Sequence, residues 1–393
     1  MKLLFITPFY KPAHVYGGPT RSIPGLCEGL AQRGCEVEVM TTNANGEDKL
    51  NVETGQPIDQ DGVPVTYFDQ STIRDQFFWS SDLRDACRRR VEEFDYVYVY
   101  GIWNYPAIAA GAACREKNVP YIISPRTGLM EWPLQQGWLR KKAYLWLFGY
   151  QYLEGAWAIH YTTEVEKRES EQLKFDVPGF VVPNCMDFSE FDQLPDAGYF
   201  RKRYGISEDA PLLLFLSRIE PRKGLELSFR AFARVRSNVP NAHFIVAGPG
   251  EEEYVQQLQE LTVELGIGEA TTFTGFVDAA ERLEALVDAN MFILTSYTEN
   301  FAMAAVEAMA SQTPVLLSEE VGVAKNADAV RAGISVPLEE DEITEYLGKV
   351  LSSPSLQEKM GRNGPSHVRS SYRPESVAEQ MVQAIQQRRE DSA

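Results

Sequence analysis

Two sets of short apolar runs, separated by stretches with helical periodicity, constrain this chain more than any other feature. Short apolar runs bounded by turn residues read as buried strands, and the helical stretches between them are the crossovers that a parallel sheet requires. In the first half the runs are LLFIT (3–7), VEVMT (37–41), YVYVY (96–100), YIIS (121–124), WAIHY (157–161) and FVV (180–182). In the second they are LLLFL (212–216), HFIVAG (243–248), TTFTG (271–275), MFILTS (291–296) and PVLLS (314–318). The expectation is an α/β chain of two doubly wound domains, each a parallel sheet covered by helices. The segment PNCMDFSEFDQLPDAGYF (183–200) carries Pro, Asn, Asp and Gly without helical periodicity and reads as the linker. The expected limits are 1–190 for the first domain, 191–372 for the second, and 373–393 for a final helix that crosses back to the first.

Composition narrows the function. With 393 residues, 44% of them hydrophobic, the chain can bury two domain-sized cores. Its five cysteines are odd in number and include no C-x-x-C pair, which suggests neither a disulfide framework nor a thiolate metal site. A reducing cytoplasm fits. The opening MKLLFITPFY reads as a first strand rather than a signal peptide, and no run reaches the roughly 18 apolar residues of a transmembrane helix. A cytoplasmic protein, soluble or peripheral at the inner face of a membrane, is expected. The net charge of −18 argues against a nucleic-acid surface. An anionic ligand would have to be held by a few local cations and backbone amides.

Such residues lie where open parallel sheets bind ligands, beyond the carboxyl ends of the strands. FLSRIEPRKGLE (215–226) sets Arg218 and Lys223 around a turn, with Gly224 opening the next helix. Arginine offers a planar fork, lysine a point charge and the helix end its unpaired amides, a combination suited to a diphosphate. An ordinary basic loop is the plainer reading. LTSYTENFAMAAVEAMASQTPV (294–315) then places Glu299 before, and Glu307 inside, a short alanine- and methionine-rich helix. Either these are a loop residue and a solvated helix residue, or both face one ligand. The residues just after Glu299 are expected to form a helix N-terminus able to take a phosphate or sugar oxygen, with Glu307 accepting bonds from a vicinal diol.

These motifs resemble those of the retaining glycosyltransferases of family 4, the group 1 enzymes with a GT-B fold. The resemblance rests on Glu299 to Val315 and on Ser217 to Gly224, joined by VAGPGEEE (246–253), TFTGFV (272–277) and VPNCMD (182–187). It implies two Rossmann-like domains facing across a cleft, and a sugar moved from a nucleotide diphosphate sugar to a hydroxyl of a glycan or lipid-linked glycan. It further implies retention of configuration, no metal and no cofactor, and a place in cell-surface polysaccharide synthesis. By the same resemblance Arg218 and Lys223 bind the donor diphosphate, Glu299 meets the donor sugar, Glu307 the ribose, and Val277 lies beside the base. The chain departs from the family pattern at Asn300 and Ala302, where E-G-F-G is usual, and at Gln312, where a glycine is usual. Side chains at 300 and 302, flanking Phe301, would narrow the sugar pocket. A catalytically silent nucleotide-sugar-binding subunit is the alternative those departures raise.

Three further stretches belong to the first domain. PFYKPAHVYGGPTRS (8–22) resembles the family's Gly-Gly segment, which assigns Gly17 and Gly18 to the donor side. After YIIS, where many members carry a histidine, this chain reads SPRTGLMEW with Arg126. An arginine cannot act as a base at neutral pH, so Arg126 is expected to bind an anionic acceptor group or to orient the donor phosphate, or else to pair with a neighbour such as Glu131. GWLRKKAYLWLFGYQYLEGAW (137–157) combines Arg140, Lys141 and Lys142 with Trp138, Trp146 and Trp157. A core helix with a short basic edge is the plainer reading of that pattern, and a helix docked on a bilayer is the alternative.

Overall fold

The computed structural model describes residues 1–71, 77–135 and 137–391, apart from the side chains of Trp138, Arg140 and Phe148. It divides into two compact units, Met1–Asp187 with Tyr372–Ala393, and Phe188–Ser371. The two crossing segments are tied within the first unit, where the Met186 N–H donates to the Tyr372 carbonyl at 2.8 Å.

The first unit holds β1 (Lys2–Ile6), β2 (Glu36–Thr42), β3 (Ala44–Asn45), β4 (Asp48–Lys49), β5 (Pro57–Gln60), β6 (Val63–Phe68), β7 (Tyr96–Tyr100), β8 (Tyr121–Ser124), β9 (Ala158–Tyr161) and β10 (Gly179–Val181). Eight of these form one sheet in the order β10-β9-β8-β7-β1-β2-β6-β5, while β3 and β4 make a small hairpin. The sheet is parallel except for β5, which runs antiparallel to β6 at the edge. Side chains alternate between its two faces. Leu4 and Ile6 join one core with Val97, Val99 and Ile123, whereas Leu3 and Phe5 join the other with Val39, Tyr98 and Ile122. The helix Pro374–Glu390 completes the second of these cores with Val377, Ala378, Met381 and Ile385, against Ile23, Leu26 and Leu30 of the helix Pro19–Gln32.

Beyond the short hairpin β3–β4 and a strand of the second unit at Gly333–Val336, the apolar runs did not include β5 and β6. Pro57 and Pro64 break the strand pattern there, yet the Asp61-Gly62 pair between them was a legible hairpin signal. Both residues adopt positive φ, 54° and 84°, as a tight hairpin turn of this hand demands.

The second unit holds β11 (Leu212–Leu216), β12 (His243–Ala247), β13 (Thr271–Gly275), β14 (Met291–Leu294), β15 (Val315–Ser318) and β16 (Gly333–Val336). Its sheet runs β13-β12-β11-β14-β15-β16, parallel throughout. Winding therefore proceeds outward from β11 in one direction and reverses at β14. The crevice between their carboxyl ends is the topological switch point at which doubly wound sheets bind ligands.

Two backbone segments meet at that point. Gly224 follows β11 with φ +65°, and a Cβ there would lie 2.1 Å from the carbonyl oxygen of Thr295, just beyond β14. Glycine is required both for the left-handed conformation and for the close approach. The Thr295 hydroxyl donates to the Gly224 carbonyl at 2.8 Å and accepts from Ser228 Oγ at 2.7 Å. One turn on, the Tyr297 N–H donates to the Arg222 carbonyl at 2.9 Å. Gly224→Ala is expected to destabilise the protein by about 2–4 kcal/mol, since a backbone clash adds to the left-handed cost. Gly34→Ala, also at positive φ but with nothing within 4 Å of its Cβ, should cost only about 1–2 kcal/mol. Urea unfolding of the two variants side by side checks the difference.

Candidate functional site

The clamp between Gly224 and Thr295 brings Lys223 against Glu299. The Lys223 ammonium is buried and bonds directly to Glu299 Oε2, and Arg222 NH1 lies 3.5 Å from the same oxygen. Glu220 ties the rest of the turn together, accepting from Arg222 Nε at 2.7 Å and pairing with Arg218 NH1 at 2.8 Å. Arg218 is the outermost of the three cations, its side chain 68% exposed. The Glu299 backbone is pinned on both sides, its N–H donating to Glu320 O at 3.1 Å and its carbonyl accepting from Gly322 N–H at 2.9 Å.

Burial works against both charges of the central pair. At Glu299 it is overcome by Lys223 and Arg222, which hold the carboxyl below its ordinary value. At Lys223 burial prevails over Glu299, and the ammonium is pushed below its ordinary value. A buried cation with an incomplete set of partners is stabilised further by any additional anion that reaches it.

Glu307 is not a solvated helix glutamate. It is buried in the helix Met303–Ala310, with Oε1 2.5 Å from Arg282 NH1. Arg282 also reaches Glu190 Oε2 at 2.6 Å and lies over the Phe191 ring. Val277, buried, precedes the helix Ala279–Asp288 that carries Arg282. Arg222 and Arg282 were not singled out in the sequence. Arg222 adjoins Lys223 and could have been, whereas Arg282 sits in a charged helical stretch, AAERLEALVD, that reads as solvated.

The segment after Glu299 differs from expectation. Asn300, Phe301 and Ala302 are buried, and the helix begins only at Met303 because Ala302 adopts a left-handed conformation, φ +67°, as its N-cap. Gln312, just beyond the other end of that helix, has φ +64°. Two of the three departures from the glycine pattern thus stand where the backbone still has the geometry glycine favours. Ala302→Gly and Gln312→Gly are each expected to raise stability by about 0.5–1 kcal/mol, the left-handed strain relieved less the entropy that glycine adds to the unfolded chain. Thermal unfolding of the single variants checks this.

In the first unit, Arg126 and Thr127 follow β8 with successive positive φ values of 50° and 70°. The Thr127 N–H is held by Oε1 of the buried Glu166 at 2.7 Å, and Oε2 of that carboxylate accepts from the Thr162 N–H at 2.7 Å and hydroxyl at 3.0 Å. The Arg126 guanidinium donates to Asn184 Oδ1 and, at 3.3 Å, to the Tyr98 hydroxyl, and it lies over the Tyr100 ring. It makes no ion pair among the described residues. Glu131 is exposed and instead accepts from Gln135. Tyr98 donates onward to His160 Nδ1 at 2.7 Å, because His160 Nε2 must carry the proton it gives to the Val182 carbonyl at 2.7 Å. Burial, aided by Arg126, pushes the imidazole pKa down to about 3, so His160 is neutral in the physiological range. Gly17 has φ +71°, while Gly18 caps the helix Pro19–Gln32 in an ordinary helical conformation. His14 is exposed.

The profile described as "Glycosyl transferases group 1" matches residues 198–367, and "Glycosyl transferase 4-like domain" matches residues 17–185, so the two matches together span most of the chain. The chain is similar to an uncharacterized glycosyltransferase of Methanocaldococcus jannaschii, 25% identical over 97% of both chains. It is also similar to a D-inositol 3-phosphate glycosyltransferase of Kineococcus radiotolerans, 27% identical over 78% of this chain and 74% of the relative. Among solved structures, Anabaena HepE in complex with UDP shares the fold with a TM-score of 0.73 and 18% identity, covering 98% of this chain and all of the other. With both sheets, both motif turns and both profiles in agreement, the chain belongs to the group 1 glycosyltransferases and has their GT-B fold of two Rossmann-like domains.

Proposed function

We propose that the protein is a retaining, metal-independent glycosyltransferase that takes a sugar from a nucleotide diphosphate sugar and gives it to a hydroxyl of a glycan or lipid-linked glycan. Its setting in this reading is cell-surface polysaccharide synthesis, at the inner face of the membrane and in peripheral contact with it, with no cofactor. The observation that carries the reading is the buried Lys223 at the switch point, incompletely balanced by Glu299 and flanked by Arg222 and Arg218. The UDP bound to Anabaena HepE supports a nucleotide donor.

In this scheme the bond from the anomeric carbon to the diphosphate breaks and a bond to the acceptor oxygen forms on the same face. The acceptor's proton passes to the leaving phosphate oxygen. Lys223 and Arg218 stabilise the charge growing on that diphosphate, the task a metal performs elsewhere. Glu299 contacts the sugar, with Asn300, Phe301 and Ala302 narrowing its pocket. Glu307, oriented by Arg282, accepts the ribose hydroxyls, Val277 borders the base, and Gly17 and Gly18 let the backbone approach the phosphates. The second reading, a silent nucleotide-sugar-binding subunit, is favoured by Arg126 standing where the family resemblance implies a histidine, with the nearby His160 neutral and fully engaged. Transfer or hydrolysis of a donor sugar by the purified protein decides between the two.

Lys223→Ala is expected to weaken nucleoside diphosphate binding by about 1.5–3 kcal/mol while leaving nucleoside binding nearly unchanged, as befits a charged hydrogen bond to phosphate. Equal losses for both ligands in calorimetry would contradict the assignment.

Arg126 is assigned to an anionic group on the acceptor. The support is a partly buried guanidinium with no carboxylate partner among the described residues and with Nε unbonded. The K. radiotolerans relative is named for a phosphorylated substrate, inositol 3-phosphate. Arg126→Ala should raise the acceptor KM by about tenfold to a hundredfold with donor affinity unchanged, and Arg126→His should not improve turnover. Steady-state kinetics with each substrate varied in turn reads both outcomes.

A further inference from the structure

The segment from Gly137 to Tyr150 carries three basic residues and no acidic one, in a chain whose net charge is −18. It folds as the helix Trp138–Tyr144, a wider π-helical turn Leu145–Gly149 and the helix Tyr150–Glu154. One side is core: Leu145, Tyr152 and Leu153 are buried among the aromatic and aliphatic side chains of the first unit. The other side is also apolar, and it faces solvent. Leu139, Trp146, Leu147 and Tyr150 are 67%, 76%, 54% and 44% exposed, Ala143 between them is exposed, and their spacing places them along one stripe. Lys142 is exposed beside the stripe. Lys141 is turned away, donating to the Pro133 carbonyl with its ammonium over the Trp103 ring.

We infer that this stripe is the surface by which the protein lies on a bilayer of anionic lipids, with Leu139, Trp146, Leu147 and Tyr150 entering the interface and Lys142 facing the headgroups. The inference rests on the peripheral placement in the proposed function and names the residues that make the contact. Charge decides the occupant. In a symmetric pair of copies the stripe would meet its own basic edge, bringing like charges together. Anionic headgroups neutralise that edge, and tryptophan and leucine on the apolar side are the residues that settle at the boundary between headgroup and acyl chain.

Co-sedimentation with vesicles tests this without turnover, so the result is independent of whether the enzyme assignment holds. The wild-type protein should bind vesicles of equal parts phosphatidylglycerol and phosphatidylcholine, and bind phosphatidylcholine alone far more weakly. Trp146→Ser with Leu147→Ser should lower the partition by about tenfold or more, and Lys142→Glu by about tenfold. Both variants should keep wild-type nucleoside diphosphate affinity in calorimetry. Quenching of tryptophan fluorescence by brominated lipid in the wild-type protein, lost in Trp146→Phe, gives the same answer should the serine pair fold poorly. Absence of wild-type binding to anionic vesicles, binding indifferent to these substitutions, or a lipid-independent dimer dissolved by the serine pair would each overturn the inference.

Discussion

The contact on which the second domain's site depends is between two pieces of backbone. Gly224 can sit against the Thr295 carbonyl only because it lacks a Cβ and accepts φ +65°. That approach joins the loops leaving β11 and β14, the strands on either side of the switch point, and sets Lys223 beside Glu299. The hydroxyl of Thr295 bonds to the Gly224 carbonyl and accepts from Ser228, so these groups are paired as the junction buries them. A wider separation would leave a lysine and a carboxylate each buried and unpaired, a state costing several kcal/mol. Backbone geometry and electrostatics therefore hold each other in place.

The chain's acidity gives that arrangement its meaning. In a molecule of net charge −18, cations near a ligand site are readily bridged by carboxylates, and here Arg218 and Arg222 share Glu220, Lys223 holds Glu299, and Arg282 spans Glu190 and Glu307. The carboxylates keep the cations oriented without a ligand. They also discriminate, because a polyanion must bring enough charge to compete with them. In the proposed reaction the donor diphosphate does so.

The first domain holds strained backbone just beyond β8. Two consecutive residues, Arg126 and Thr127, occupy left-handed backbone, and a buried carboxylate from Glu166 is committed to holding the turn. Such geometry costs on the order of 1–3 kcal/mol per residue and persists where surrounding structure enforces it. Its result is a guanidinium fixed by Asn184, Tyr98 and the Tyr100 ring at the carboxyl end of a parallel strand, where this class of sheet presents its functional residues.

Local pattern and spacing in the sequence were enough to determine the two parallel sheets, most of their strands and the loops that leave their carboxyl ends. Those features are written in neighbouring residues: apolar runs make strands, and a glycine after a basic turn opens a helix. The edge hairpin β5–β6 was missed because Pro57 and Pro64 masked its periodicity, although Asp61-Gly62 marked its turn. What only the tertiary structure decided was the identity of the partners. Arg282 is far from Glu307 in sequence and looks like a solvated helix charge until the fold buries the two together. Arg126 could have been assigned to Glu131 by proximity along the chain, yet it bonds to Tyr98 and Asn184, which reach it from other segments. The exposure of Trp146 and Leu147 was equally open, since a helix with apolar residues on both sides does not say which side the core will take. Spacing along a chain encodes periodicity and local turns, whereas the choice among equivalent charges and equivalent apolar faces is made by packing, which brings together residues that are distant in sequence.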